Sequence, residues 1–117
     1  MTDHQTRELI AGALDGSQGI TKAHPYYRQT AKPGEALVSW AGLARDETGF
    51  GYLNTWEILI FLPVDVDRAE KALAEHLDAW IAALSEVLIV TEAQPSTLVL
   101  DAGTTPAVTI TGVRARD

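Results

Sequence analysis

The sequence contains no cysteine. This absence excludes disulfide bonds and thiolate metal sites, and it is compatible with a reducing compartment. Basic residues are also few, with 9 Lys and Arg against 16 Asp and Glu, for a net charge of -7. That balance argues against a protein that grips nucleic acid, because binding to phosphates needs a basic patch.

Long hydrophobic runs are missing as well. No apolar stretch approaches the roughly 20 residues of a membrane-spanning helix. The first eight residues are polar and of mixed charge, which is not the pattern of a signal peptide. We therefore expect no membrane association.

The composition indicates one globular domain over residues 1–117, since 46% of the residues are hydrophobic and 21% are charged. The charge is uneven. Residues 1–50 hold five basic and six acidic residues, net -1, whereas residues 51–117 hold four basic and ten acidic residues, net -6. A chain of this size has a modest core, so burial against partner subunits would add stability.

Residues 52–84 predict a buried strand followed by a long amphipathic helix. Residues 52–62 are rich in aromatic and branched side chains, and Pro63 closes the strand. Asp65 or Asp67 is expected to cap the helix; Asp67 has the capping-box spacing with Glu70. Helical periodicity predicts an apolar stripe of Val66, Ala69, Leu73, Leu77, Trp80, Ile81 and Leu84. We expect this stripe to cover the strand, with Trp56 and Trp80 buried between them.

The rest of the chain predicts a second helix and several strands. A helix over residues 3–14 is capped by Thr2 or Asp3, and a short strand lies within residues 20–28. A strand over residues 35–45 carries Ala36, Val38 and Trp40 on one face. Further strands are predicted at 87–92, 97–100 and 107–113, with a turn at 94–96, a loop at 101–106 and a polar tail at 114–117. The fold class is α+β, a mainly antiparallel sheet on which the N-terminal helix and the long amphipathic helix pack.

Carboxylates, histidines and serines show no catalytic or metal-binding pattern. Asp65 and Asp67 lack a third oxygen ligand nearby, and helix capping explains both. The three histidines, His4, His24 and His76, lack ligand spacing. Ser39, Ser85 and Ser96 lack the glycines of a nucleophile elbow. We expect no catalytic residue, no metal and no cofactor, although a small enzyme using Asp65 and Asp67 with a metal stays open as an alternative.

The polar, glycine-containing segment between the second and third strands is predicted to be a projecting hairpin loop that touches a protein partner. Its Gly49-Phe50-Gly51 lacks the third glycine of a dinucleotide-binding loop. The three tryptophans could form a base-stacking platform, but Trp56 and Trp80 are expected in the core. The predicted contact residues are Arg45, Asp46, Glu47, Thr48, Gly49, Phe50 and Gly51.

The order of the predicted helices, strands and loops along the chain is similar to that of a known protein family. A short helix leads to Pro25-Tyr26-Tyr27, then to a strand with Val38-Ser39-Trp40, the loop through Gly49, and the run from Thr55 to Pro63. A helix with leucines and the final β segment 106–111 complete the chain. Over nearly its whole length this layout resembles the tail terminator, or tail completion, proteins of long-tailed phages, particularly those of actinobacterial hosts.

The resemblance implies a non-enzymatic virion protein with no cofactor. It implies a homo-oligomer, expected as a hexameric ring, that caps the tail tube protein, ends its polymerisation and joins the head-side connector protein. DNA would pass through the channel without specific binding. The protein would reside in the virion tail, after assembly in the host cytoplasm. The alternatives are another neck or head–tail connector subunit, and a regulatory α+β domain that binds a small ligand near His76 or Tyr26.

Overall fold

In the computed structural model, which describes residues 1–28, 32–100 and 103–116, two helices pack on a five-stranded sheet. The strand order is β1-β2-β3-β5-β4, and every pairing is antiparallel except the parallel pair β1 and β2. The predicted α+β fold class is confirmed. The elements are α1 (Asp3–Leu14), β1 (Lys22–His24), β2 (Glu35–Arg45), β3 (Tyr52–Phe61), α2 (Val66–Ser85), β4 (Ile89–Leu100) and β5 (Gly103–Ala115).

Both helices begin at side-chain caps. The Thr2 hydroxyl accepts from the Gln5 backbone N–H at 3.1 Å, and the Gln5 side chain accepts from the Thr2 N–H at 2.8 Å, which completes a capping box. The Asp65 carboxylate caps α2 by accepting from the Asp67 N–H at 2.9 Å. The alternative capping box of Asp67 and Glu70 is wrong, because Asp67 already lies in the first helical turn.

The main core lies between the helices and one face of the sheet. The central strand β3 carries Ile58, which pairs with Val38 on one side and Ile110 on the other. Trp56 and Trp80 belong to this core and expose 0% and 2% of their surfaces, so their predicted burial is confirmed. A smaller cluster of Leu37, Phe61 and Ala107 forms a separate group of buried residues.

The predicted stripe of α2 is correct except at its start. Ala69, Trp80 and Leu84 are buried, whereas Val66 is 71% exposed. Val66 occupies the first helical position, where it borders a surface cleft between α2 and the strands β4 and β5.

The second half of the chain differs from its prediction. The expected turn at residues 94–96 is wrong, because β4 is one strand that pairs with β5 in unbroken register from Glu92 to Leu100. Pro95 is tolerated there because an edge strand has one side that needs no N–H donor. The predicted loop at 101–106 is also too long, since β5 begins at Gly103; Asp101 and Ala102 lie outside the described residues.

The segments at the two ends of the sheet also join it. The short strand expected before Pro25 is confirmed as β1. The predicted polar tail is wrong over residues 114–115, since β5 continues to Ala115 and Arg114 donates to the Val87 carbonyl at 2.7 Å; Asp117 lies outside the described residues. Among the residues that the structure describes, neither α1 nor α2 combines the length and apolarity needed to cross a bilayer.

Candidate protein-contact surface

The end of β2 and the start of β3, residues 40–55, form an antiparallel hairpin with many exposed residues; we call it the β2–β3 arm. Its strands pair from Trp40 opposite Trp56 to Arg45 opposite Tyr52, and the register shifts by one residue between Trp40 and Gly42. Such a bulge increases strand twist and redirects the hairpin beyond it. Most residues from 41 to 52 are exposed, so the arm stands clear of the two helices.

The loop at the tip of the arm is built around Asp46. One carboxylate oxygen of Asp46 accepts from the Thr48 hydroxyl at 2.6 Å and from the Gly49 N–H at 3.0 Å. The Asp46 N–H donates to the Gly51 carbonyl at 3.0 Å and closes the loop. Gly49 has φ +77, a conformation that glycine adopts without steric cost. The tip is therefore an ordered loop.

The charges at the tip are engaged within it. The hydrogen bond from Thr48 is the largest cause that lowers the pKa of Asp46, and backbone N–H donors add to it. Arg45 donates to the Gly49 carbonyl at 3.0 Å and to the Tyr52 hydroxyl at 3.1 Å, and its guanidinium lies 5.1 Å from the Tyr52 ring centroid. These contacts leave Phe50 as the free apolar group of the loop.

Four large apolar side chains on the arm are exposed. Phe50 is 96% exposed, and Trp40, Leu43 and Tyr52 are about half exposed. By register, Trp40, Leu43 and Tyr52 share the sheet face that carries the core residue Trp56. The arm therefore continues the apolar face of the sheet past the region that the helices cover. Exposed apolar patches of this kind mark interaction sites.

The base of the arm is fixed by a buried amide. The Asn54 side-chain oxygen accepts from the Trp40 indole N–H and from Arg116, both at 3.1 Å. Arg116 also lies 3.5 Å from the Asp3 carboxylate, so both ends of the described chain meet the arm here. This network holds the half-exposed Trp40 ring in one orientation.

The seven predicted contact residues, 45–51, are together in the tip loop, and their contact role stays a prediction. Sequence reasoning missed the contribution of Leu43 and Tyr52, because their alternation matches that of buried strand residues. The two side chains are accessible because neither helix extends over this part of the sheet. No local sequence pattern shows where the helices stop covering it. Of the three tryptophans considered for a base-stacking platform, only Trp40 is accessible, because Trp56 and Trp80 are buried.

Local partners are found for four of the polar residues considered above, His4, His24, Ser85 and Ser96. His4 lies 2.6 Å from both the Tyr26 hydroxyl and the Glu8 carboxylate, and His24 lies 2.5 Å from Glu35. Ser85 donates to the Ile81 carbonyl, and Ser96 lies 3.0 Å from the Thr109 hydroxyl. No group of three or more His, Asp or Glu residues suited to a metal ion occurs among the residues with described positions.

His76 differs from the other histidines. Its Nδ1 is buried and has no hydrogen-bond partner, and its ring lies 5.8 Å from that of Trp80. The ring borders a cleft of about 240 Å³ that Gly19, Pro33, Phe61 and other residues also line.

No protein-family model matches the chain, and no curated protein matches its sequence significantly. What the arm does is therefore inferred from its own geometry and charge, together with the layout of the chain.

Proposed function

We propose that this chain is a structural subunit of a phage tail, of the tail terminator kind, with no enzymatic activity. One observation carries the proposal: an ordered hairpin arm that exposes Phe50, Trp40, Leu43 and Tyr52, on a small acidic domain. Leaving such a surface in water is unfavourable, and burial against a partner removes that cost. A subunit that functions only within an assembly has this property.

The layout of the chain supports the same proposal. The resemblance to tail terminators implies an α+β subunit of this length, and the observed sheet with two helices has that class of fold. The loop expected to make contacts, residues 45–51, is the tip of the exposed arm.

The proposed assembly is a ring of identical copies, expected to be a hexamer. The ring caps the end of the tube formed by the tail tube protein, stops the tube from growing, and binds the head-side connector protein. DNA passes through the central channel, and the net charge of -7 supports passage without retention, because like charges repel. The finished protein resides in the virion tail after assembly in the host cytoplasm.

Electron microscopy of the purified chain, alone and with growing tube protein, tests this function. We expect rings that bind one end of each tube, and shorter tubes as the ratio of this chain to tube protein rises. An unrelated acidic protein of similar size is the control and should leave tube length unchanged. A chain that never forms rings and never binds tubes contradicts the proposal.

Another neck or connector subunit has the same size and layout, so the partner must be identified. A terminator binds isolated tube ends without the connector, whereas a connector subunit binds the head-side ring without tubes. Co-sedimentation with each partner separately distinguishes the two.

The cleft beside His76 favours a second candidate, the binding of a small ligand. The ring of His76 lines this cleft, and the other walls are mainly apolar, as in sites that bind small molecules. A thermal-shift screen with small aromatic acids and phenols tests it, because a ligand that binds only the folded chain raises its melting temperature. A shift that saturates in wild type but is lost in His76→Phe supports this candidate; no shift in wild type removes it.

A further inference from the structure

An apolar cleft lies at the end of the sheet opposite to the tip of the β2–β3 arm. β3 runs from the arm to the far end, where Phe61 pairs with Ala107 near the start of β5. There the first turns of α2 and the β4–β5 hairpin enclose a cleft of about 240 Å³. Seven of its lining residues are apolar: Leu62, Val66, Ala69, Leu73, Pro95, Pro106 and Ala107.

The cleft has the size and chemistry to hold a phenyl ring. An apolar cavity of about 150 Å³ binds benzene, so a cleft of about 240 Å³ has room for a ring and its methylene group. Val66 at its rim is 71% exposed, although its helical position belongs to the apolar stripe. A phenyl ring in the cleft would cover Val66 and complete that stripe.

Phe50 is the matching group on the same chain. It is 96% exposed, and the hydrogen bonds of Asp46 already order the loop that carries it. Preorganisation lowers the entropic cost of association. Because the loop and the cleft lie at opposite ends of a molecule 46 Å long, Phe50 cannot reach the cleft of its own copy.

We propose that Phe50 of one copy inserts into the cleft between α2 and the β4–β5 hairpin of the next copy. Such head-to-tail contacts join different surfaces on the two partners, and they close into a ring when the rotation between copies allows it. The inference rests on the proposed function, which requires a ring, and it names the contact that builds the ring.

The absence of cysteine makes this contact testable by site-specific cross-linking. We would place one cysteine beside Phe50, as Glu47→Cys, and one in the cleft lining, as Glu70→Cys. Both glutamates are exposed, so neither change disturbs the core. The two single-cysteine proteins, distinguishable by mass, are mixed and treated with a short bis-maleimide. We expect a covalent heterodimer.

Two matched variants show whether the product reports the proposed contact. Glu92→Cys is the same substitution at an exposed site on β4 outside the cleft, and it should give little product with Glu47→Cys. Adding Phe50→Ala to the Glu47→Cys protein removes the inserted ring and should lower the yield about tenfold or more. The folded state should be unaffected, since Phe50 makes almost no contact with its own chain.

The inference is overturned if the Glu47–Glu70 product fails to form, if Glu92→Cys gives equal yield, or if Phe50→Ala leaves the yield unchanged. These outcomes are separable from failure of the proposed function. Rings that form and cap tubes equally well with Phe50→Ala would leave the terminator function intact and remove only this contact. If the chain neither forms rings nor binds tubes, the proposed function and the proposed Phe50 contact are both contradicted.

Discussion

At the scale of single residues, Arg7 joins three parts of the fold. It donates from one guanidinium nitrogen to the Pro25 carbonyl at 3.1 Å and to the Val38 carbonyl at 3.0 Å. The same guanidinium lies 4.6 Å from the Tyr26 ring centroid and 5.4 Å from that of Trp56. A planar, weakly hydrated cation suits both the carbonyl and the aromatic contacts. Sequence patterns gave no sign of this role, because Arg7 is one charge among several on a short helix.

Arg7→Lys should therefore destabilise the fold although it preserves the charge. We expect a loss of about 1–3 kcal/mol in the free energy of unfolding, because lysine cannot maintain the planar contacts with two rings and two carbonyls. Urea denaturation measures the change. Arg68→Lys on the exposed face of α2 is the matched control and should change stability by less than about 0.5 kcal/mol. Equal effects of the two substitutions would contradict this role of Arg7.

Glu35 is a second residue whose surroundings matter. Burial alone raises the pKa of its carboxyl, but the hydrogen bond from His24, the N–H of Lys32 and the charges of His24 and Arg28 together hold the pKa below its ordinary 4.5. Its partner His24 is in β1, so this pair links the edge strand to β2.

A lowered folded-state pKa predicts a defined pH dependence. The ionised Glu35 stabilises the fold at pH values above 4.5, and this stabilisation is lost as the pH falls from 4.5 through the lower folded-state pKa. Wild type should thus be more stable than Glu35→Gln at neutral pH, and the difference should shrink on acidification. Urea denaturation at pH values from 7 to 3 measures it. A difference that stays constant over this range would exclude the ionic contribution.

At the scale of elements, α2 shows what periodicity predicts well and where it fails. Its bounds and its buried stripe follow from the spacing of apolar residues. That spacing does not select the strand beneath the helix: among the described residues the backbone of α2 approaches β4 and β5, and not β3 as expected. The spacing does not decide whether Asp65 or Asp67 is the N-cap, because both residues precede apolar positions. Only the backbone conformation distinguishes the two residues. Asp65 is extended, as an N-cap must be, and Asp67 is helical.

This assignment predicts unequal effects of two similar substitutions. Asp65→Ala should lower the free energy of unfolding by about 1 kcal/mol, because it removes the acceptor for the Asp67 N–H. Asp67→Ala should cost only about 0.3 kcal/mol, the effect of an exposed charge near a helix N-terminus. Thermal or urea denaturation of both variants compares them. A larger loss for Asp67→Ala would return the cap to Asp67.

The strand β4 shows the opposite limit of sequence reasoning. A proline in the middle of an apolar segment usually indicates a turn, and for this reason the sequence predicts a turn at residues 94–96. It lies within a continuous strand because β4 is at the edge of the sheet, and edge position is a property of the topology. The sequence thus predicts a strand on each side of Pro95, but it does not predict that the two segments form one continuous strand.

At the scale of the whole molecule, charge and shape act on association in opposite directions. Each copy carries -7, so copies repel one another at long range. The exposed apolar groups, with Phe50 foremost, provide the attraction at contact.

Salt should therefore strengthen self-association of this chain. Raising the salt from about 0.05 M to 0.5 M shortens the screening length from above 10 Å to a few ångströms and weakens the repulsion, while the apolar contacts persist. Sedimentation velocity at both salt concentrations measures the change. A Phe50→Ala control should gain much less. Association that weakens with salt would indicate contacts carried by opposite charges.

The contact surface was predictable in part. The tip loop was identified because glycine and charged residues between two strands indicate a projecting hairpin. The arm below the tip was not, because its exposure depends on where α1 and α2 end in space. The cleft beside α2 also combines residues from four segments of the chain, and no single segment signals it.

One feature of the fold bears on how the protein can be handled. Arg116 contacts both Asp3 and Asn54, so residues near the two ends of the chain are neighbours. A short linker from residue 116 to residue 3 would permit circular permutation, with new ends opened at a surface turn. For the same reason an affinity tag attached next to residue 3 or residue 116 would lie beside the base of the arm. Tags should be cleaved before imaging, because a tag there can shield the arm from its neighbours.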